Sequence, residues 1–309
     1  MMVCWLDVDT GIDDAVALLA AAGLLAGEAF GWVSAVAGNV GLEAVVDNTR
    51  RVLAAAGRDD VDVYAGADRP LVRSIVDAAH VHGESGLGAV VLPPATRPLA
   101  GDLLALLARI EAAPDGGVCL VATAPLTNIA LLCRLRPGLL RRKLARTVWM
   151  GGGRGVGNAT VAAEFNAYAD PEAAAVALDA LRPVTLVDLK TTHRAYLAPQ
   201  EVRALGLGGG RLGTLAQRLL EDPAYGAPHP GCDDRRVVVH DAVALLEAVR
   251  PGSMFGLARA RVAVDLSGGL SHGATLVGHK APGPEADWPD APDRQRFAAL
   301  LAEALGAAS

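Results

Sequence analysis

Hydrophobic runs stop and restart at short intervals along the chain. Residues 3–7 form an apolar run that ends on an acid, which predicts a strand. Residues 13–25 are rich in Ala and Leu and predict a helix. Residues 30–37 predict a second strand, and 42–56 a second helix. The pattern resumes with a strand at 118–122, a helix at 127–135 and a strand at 147–150. A helix at 171–181, with Pro171 in its first turn, leads to a strand at 184–187. Residues 237–239 read as a further short strand, and 243–249 and 297–305 as helices. Strands alternating with helices predict an α/β fold whose central sheet is mostly parallel and flanked by helices. Two stretches, 206–213 and 281–293, are linker-like in their Gly, Pro or charge content. The same pattern continues on either side of each, so residues 1–309 are expected to form a single domain. In such a sheet the active site lies at the carboxyl ends of the strands.

Composition narrows the picture. With 309 residues the chain is long for one domain and short for three. Hydrophobic residues make up 52% and aromatics only 4%, so the core is built mainly of Ala, Leu and Val. A net charge of −6 argues against a nucleic-acid partner, which needs a basic surface. The cysteines Cys4, Cys119, Cys133 and Cys232 form no CxxC pair and are expected to be free thiols in a reducing compartment. No signal peptide is visible. The longest apolar run, 15–27, has 13 residues, short of the roughly 20 needed to cross a bilayer. A cytoplasmic protein with no membrane partner is expected.

The chemistry concentrates where apolar strands end. Asp7, Asp9, Asp13 and Asp14 fall within eight residues, between an apolar strand and an apolar helix. Asp13 or Asp14 alone would be an ordinary helix cap. Four carboxylates together repel one another unless a cation neutralises them, and oxygen donors suit a hard divalent ion. Gly11 permits a turn that brings Asp9 back towards Asp14. The spacing is not that of an EF-hand, because glycine falls at loop position 5 and Leu18 occupies position 12. Polar residues close further strands: Asn39, then Thr123 to Asn128, and then Gly151–Gly153 followed by Asn158, Glu164, Phe165 and Asn166. The glycines after Met150 lack GxGxxG spacing and a Walker lysine, so nucleotide phosphate binding has weak support. His240 and Asp241 follow the last short apolar strand.

This ordered set resembles the nucleoside hydrolases of the inosine-uridine-preferring type. Asp7 to Asp14 match their DxDxGxDD motif, and Ala37-Gly38-Asn39 their AGN element. Leu126-Thr127-Asn128 matches LTN, Met150-Gly151-Gly152 matches MGG, and residues 157–166 match GNxT…AEFN. His240-Asp241 matches the HD pair, and 82–87 resembles the HGxxGL loop. The matches span positions 7 to 241 in order, most of the chain.

The resemblance implies hydrolysis of the N-glycosidic bond of a small ribonucleoside, giving free base and ribose, with Ca²⁺ as cofactor. Asp9, Asp14 and Asp241 would supply carboxylate ligands and Thr123 a backbone carbonyl. Asp9 would also be the general base for the attacking water. Asp13, Asn39, Asn158, Glu164 and Asn166 would grip the ribose hydroxyls. His240 would protonate the leaving base, with His82 as a second candidate. Phe165 would line the site, and Tyr225 and His229 lie in a Pro- and Gly-rich loop, 224–234, placed to cover the base. The absence of a Trp beside the His-Asp pair favours uridine, cytidine or inosine over a purine-specific preference. Family members are commonly dimers or tetramers, so a homo-oligomer is expected.

The sequence departs from the family pattern at two points. Thr10 stands where proline is usual, and Ala124 where the metal loop usually has glycine. If that position needs a positive φ, Ala124 disturbs the loop that carries the Thr123 carbonyl. Two other readings compete. Asp7-Val8-Asp9-Thr10 also fits the start of a haloacid-dehalogenase-type phosphatase, but the later lysine and acidic pair of that family have no good counterpart. A calcium-dependent ribose- or nucleoside-binding protein would keep the pocket without turnover, but it would have no need for Asp9 as a base.

Overall fold

A computed structural model describes residues 2–181, 183–208, 210–223, 225 and 236–306. The strands are β1 (Val3–Val8), β2 (Phe30–Ala35), β3 (Asp62–Ala65), β4 (Val118–Ala122), β5 (Leu144–Met150) and β6 (Thr185–Val187). They continue as β7 (Tyr196–Leu197), β8 (Val237–Val238), β9 (Leu257–Val264), β10 (Thr275–Gly278) and β11 (Glu285–Pro289). Nine of them form one sheet in the order β10-β9-β11-β6-β5-β4-β1-β2-β3. From β3 to β11 every neighbouring pair is parallel, and β9 and β10 extend the sheet in antiparallel fashion.

The period-2 alternation of β1 explains the two-sided core. Cys4, Leu6 and Val8 join one apolar layer, while Trp5 joins the other. On the first face lies helix Ile12–Leu24, buried along Ile12 to Ala21 and packed against helices Leu42–Ala56, Arg211–Leu220, His240–Val249 and Arg294–Ala304. The second face carries helices Leu103–Ala112, Thr127–Leu135 and Pro171–Ala180, with Trp5, Trp32, Trp149 and Trp288 buried beneath them.

The chain runs from β1 outwards to β2 and β3, then crosses to β4 on the other side of β1. The switch point therefore lies between the carboxyl ends of β1 and β4, where open α/β sheets place their ligands. Three expectations change. The linker-like stretch 281–293 contains β11, a sheet strand. The stretch 206–213 holds the end of helix Pro199–Leu207 and the start of helix Arg211–Leu220. The apolar run 237–239 is not part of the main sheet: β8 pairs antiparallel with β7 in a separate ribbon. The helix after it starts at His240, so His240 and Asp241 belong to its first turn.

Candidate active site

Asp7 is still within β1, and its carboxylate braces the sheet. Its Oδ1 accepts hydrogen bonds from Ser34 Oγ at 2.5 Å and from Asn128 Nδ2 at 2.8 Å. Burial pushes this carboxyl up to about 7. Asp9 follows the strand and is fully buried. Its Oδ2 accepts the Asn39 N–H at 2.8 Å, while Oδ1 is buried with no partner. Gly38 makes this possible, because a Cβ there would lie 2.1 Å from Asp9 Oδ2.

Gly11 serves a different purpose from the expected turn. It is the extended residue ahead of helix Ile12–Leu24, and a Cβ on it would come within 2.7 Å of His82 Nδ1 and 2.8 Å of Asn39 Nδ2. The first helical turn then presents Asp13 and Asp14. Asp14 Oδ2 accepts from the Gly11 N–H at 3.0 Å and Asn39 Nδ2 at 3.2 Å, and its Oδ1 accepts from Thr123 Oγ1 at 2.8 Å. Asp241, in the first turn of its own helix, meets this turn from the opposite side. Carboxylate oxygens of Asp13, Asp14 and Asp241 lie within 4.8 Å of one another.

Their electrostatics follow from crowding in a dry site. Burial raises Asp13 and Asp14 to about 6, with a hydrogen bond from Asp241 partly offsetting the shift at Asp13. Burial, and then the charges of neighbouring acids, drive Asp9 and Asp241 well above the usual carboxylate range. Without a cation such groups keep protons; a divalent ion replaces those protons and lets all of them ionise. The all-oxygen donor set and the unpartnered Asp9 Oδ1 fit a hard cation. Asp9 is not one of the three clustered acids, but its charge raises Asp241, and the charge of Asp14 raises Asp9.

Thr123 closes β4. Its hydroxyl serves Asp14, and its carbonyl accepts from Asn166 Nδ2 at 3.0 Å. Ala124 causes no strain: among the described residues no non-glycine has a positive φ, and the Ala124 carbonyl accepts Trp149 Nε1–H at 3.2 Å. The distortion expected there is absent, because the loop does not use the left-handed region at that position.

In front of the acids is a cavity of about 350 Å³. Asp13, Asn39, Thr123, Asn158, Glu164, Phe165, Asn166 and Asp241 line it, and His82, Tyr225 and His240 also face it. Asp9 and Asp14 lie behind this wall and are fully buried. Glu164 is partly a structural cap: its carboxylate accepts from the N–H groups of Gly152 at 2.7 Å, Asn166 at 2.9 Å and Ala167 at 3.1 Å. Burial still raises it to about 7. The Asn166 amide donates to the carbonyls of Thr123 and Met150, both at 3.0 Å, which fixes its orientation and leaves Oδ1 for a ligand. Asn158 is exposed at the rim, and its Oδ1 accepts the Phe165 N–H at 2.9 Å.

Beside the acidic first turn, His82 Nδ1 accepts the Ile12 N–H at 3.1 Å, so its Nε2 carries the proton in the neutral ring. Desolvation lowers His82 to about 4. The Tyr225 ring lies 5.9 Å from His82, and its hydroxyl donates to the Val238 carbonyl at 2.6 Å. His240 Nδ1 is 2.7 Å from Thr192 Oγ1. The expected residues His229 and Cys232 lie outside the described residues. Sequence reasoning missed Thr192, His193, His80 and Arg236. His193 tilts against His240 with ring centroids 5.7 Å apart, and His80, His193 and Arg236 line the cavity. Thr192 and His193 were findable, since they are polar residues just beyond β6 and so follow the rule that picked out the other strand ends.

Comparison with known proteins agrees with this geometry. Residues 4–299 match the family described as inosine-uridine preferring nucleoside hydrolase. The pyrimidine-specific ribonucleoside hydrolase RihA of Enterobacter sp. (strain 638) is 36% identical over 318 aligned positions, covering 97% of this chain and 96% of that protein. The RihA protein of Citrobacter koseri is 35% identical, with the same coverage of both chains. Among solved structures, the plant nucleoside hydrolase PpNRh1 superposes with a TM-score of 0.87 at 28% identity, covering 99% of both chains. An inosine-guanosine nucleoside hydrolase superposes at 0.86, also at 28% identity, over the full length of both. On a family match over residues 4–299 and relatives aligned over nearly their full length, the chain belongs to the inosine-uridine preferring nucleoside hydrolase family and is an N-ribosyl hydrolase.

Proposed function

We propose that the protein is a calcium-dependent hydrolase of pyrimidine ribonucleosides, with uridine and cytidine ahead of inosine. One observation carries this reading. A buried cluster of Asp13, Asp14 and Asp241, with the unpartnered Asp9 Oδ1 behind it, presents Asp13 and Asp241 to a cavity that His82, Tyr225 and His240 also line. Relatives named as pyrimidine-specific support the substrate class. So does the placement of all four tryptophans in the core rather than on the cavity wall.

Asp9, Asp14, Asp241 and the Thr123 carbonyl are the groups that would hold calcium. When bound, the ion neutralises these acids and polarises the attacking water. Asp13, Asn39, Asn166, Glu164 and Asn158 hold the ribose hydroxyls, with Phe165 against the sugar. Binding there places the anomeric carbon against the acidic cluster. The N-glycosidic bond breaks with its electron pair going to the base, and positive charge develops on the ribose. Buried carboxylates beside that charge stabilise it more than water would. Asp9 accepts the proton of the water that attacks the anomeric carbon. His240 gives a proton to the departing base, and His82 and Tyr225 border the base. A cytoplasmic location and assembly into a dimer or tetramer belong to the same proposal.

The test is ribose release from uridine, cytidine, inosine and adenosine, with added calcium and with chelator. Calcium-dependent release from the pyrimidine nucleosides is expected. Binding of uridine without release would instead make the chain a nucleoside-binding protein.

A further inference from the structure

At the helical turn Leu189–Thr192 lies a second cavity of about 150 Å³, which shares no lining residue with the reaction cavity. It is lined by Arg154, Lys190, Thr191, Arg194, Asp290 and Ala291. Cations outnumber carboxylates three to one on this wall. Arg154 is fixed in place: its Nε and Nη2 meet Asp188 at 2.7 and 3.2 Å, and Nη2 also donates to the Pro289 carbonyl at 3.1 Å. Such a guanidinium loses little further freedom when it takes a ligand. Lys190 and Arg194 are four residues apart, so they share a face of the turn. Both are exposed, and their side chains enter no ion pair among the described residues. The opposing acid, Asp290, already accepts the Gly256 N–H at 2.9 Å through Oδ1.

We infer that this cavity is an anion site for a phosphate group and that its occupancy adjusts His240 through the turn Leu189–Thr192. The Arg154 guanidinium beside two exposed cations concentrates positive charge and N–H donors of the kind that recognise a tetrahedral dianion. The volume is below the roughly 300 Å³ at which pockets begin to enclose drug-sized ligands, so it takes the phosphate and leaves any attached group outside. The connection to the reaction cavity is short. Arg154 holds Asp188, and Asp188 caps the turn by accepting the Thr191 N–H at 3.0 Å. The next residue, Thr192, meets His240 Nδ1 at 2.7 Å, and His193 abuts the His240 ring. A phosphate competes with Asp188 for Arg154 and so bears on the residues that hold His240.

Calorimetric titration of the full chain with inorganic phosphate tests the site, with glycerol 3-phosphate in a second arm. Saturable binding is expected in the wild type and is weakened roughly tenfold or more in the double variant Lys190→Ala/Arg194→Ala, as for lost charge-assisted hydrogen bonds. Binding of the ester as tightly as the free ion assigns the site to phosphate monoesters; preference for the free ion assigns it to inorganic phosphate. The double variant keeps its phosphate-free kcat on uridine, whereas wild-type kcat shifts along the same phosphate isotherm. Equal binding by both proteins, or no saturable heat in either, overturns the site. A kcat indifferent to bound phosphate overturns the link to His240. The binding arm stands whether or not uridine is the substrate.

Discussion

Asp9 lies behind the cavity wall and His240 on it, and their variants separate the two halves of the proposed chemistry. Asp9 is buried with one oxygen held by the Asn39 N–H and the other unpartnered. Asp9→Asn keeps the volume and removes the proton acceptor. The expected result is a normal melting temperature with kcat reduced by about 10²–10⁴-fold, the usual contribution of a general base. Near-wild-type turnover on uridine would take Asp9 out of that role. His240 acts on the leaving group instead. His240→Ala should slow uridine hydrolysis strongly and p-nitrophenyl riboside hydrolysis little, because an activated leaving group needs no proton. Equal losses on both substrates would place His240 in binding rather than proton transfer. Two residues apart on an extended strand, Asp7 and Asp9 share one face, so alternation alone does not separate their roles. The bonds from Ser34 and Asn128 to Asp7 come from distant segments, and no local pattern announces them.

At the scale of elements, the helix that carries Asp13 and Asp14 must sit deep against its neighbours. Its interior is largely alanine and leucine, and Gly23 marks the closest approach: a Cβ there would lie 1.9 Å from the Ala304 carbonyl oxygen. Two effects oppose each other in Gly23→Ala. Helix propensity favours alanine by about 1 kcal/mol, and overpacking against backbone costs about 1–3 kcal/mol. The contact is with a carbonyl in another helix rather than a flexible side-chain tip, so the cost wins. Thermal unfolding should occur a few degrees lower in this variant; an unchanged or higher midpoint would mean that the two helices separate freely. The parallel strands β1, β2, β4, β5 and β6 and six of the helices were legible because their apolar runs are long or bounded by turn residues. The helices Leu103–Ala112, Pro199–Leu207 and Arg211–Leu220 and the strands β3, β9, β10 and β11 were not. β9 alternates arginine with small apolar residues near the sheet edge, and β11 holds two acids and a proline in five residues. Pairing with neighbours makes them strands, and pairing does not show in composition.

For the whole molecule, the candidate metal ligands tie together segments that are far apart in the chain. Asp9 follows β1, Asp14 opens the first helix, Thr123 follows β4, and Asp241 opens a late helix. The sequence displayed each of these as a polar residue at the end of an apolar run, but not the contact between them. That contact depends on the crossover from β3 back to β4 beside β1, a property of the sheet order. A cation that binds only this assembled site stabilises the whole fold. The gain is about 2.7 kcal/mol when free calcium is one hundred times its dissociation constant. Removing calcium with a chelator should therefore lower the melting temperature by several degrees, and restoring calcium should reverse the loss. Asp241→Ala should abolish the difference, since it removes one ligand and also relieves the repulsion that calcium offsets. The apo form of this variant is therefore expected to be no less stable than the apo wild type. A wild-type melting temperature indifferent to calcium would mean that the clustered acids are stabilised by retained protons instead, and would remove the ion from the folded state.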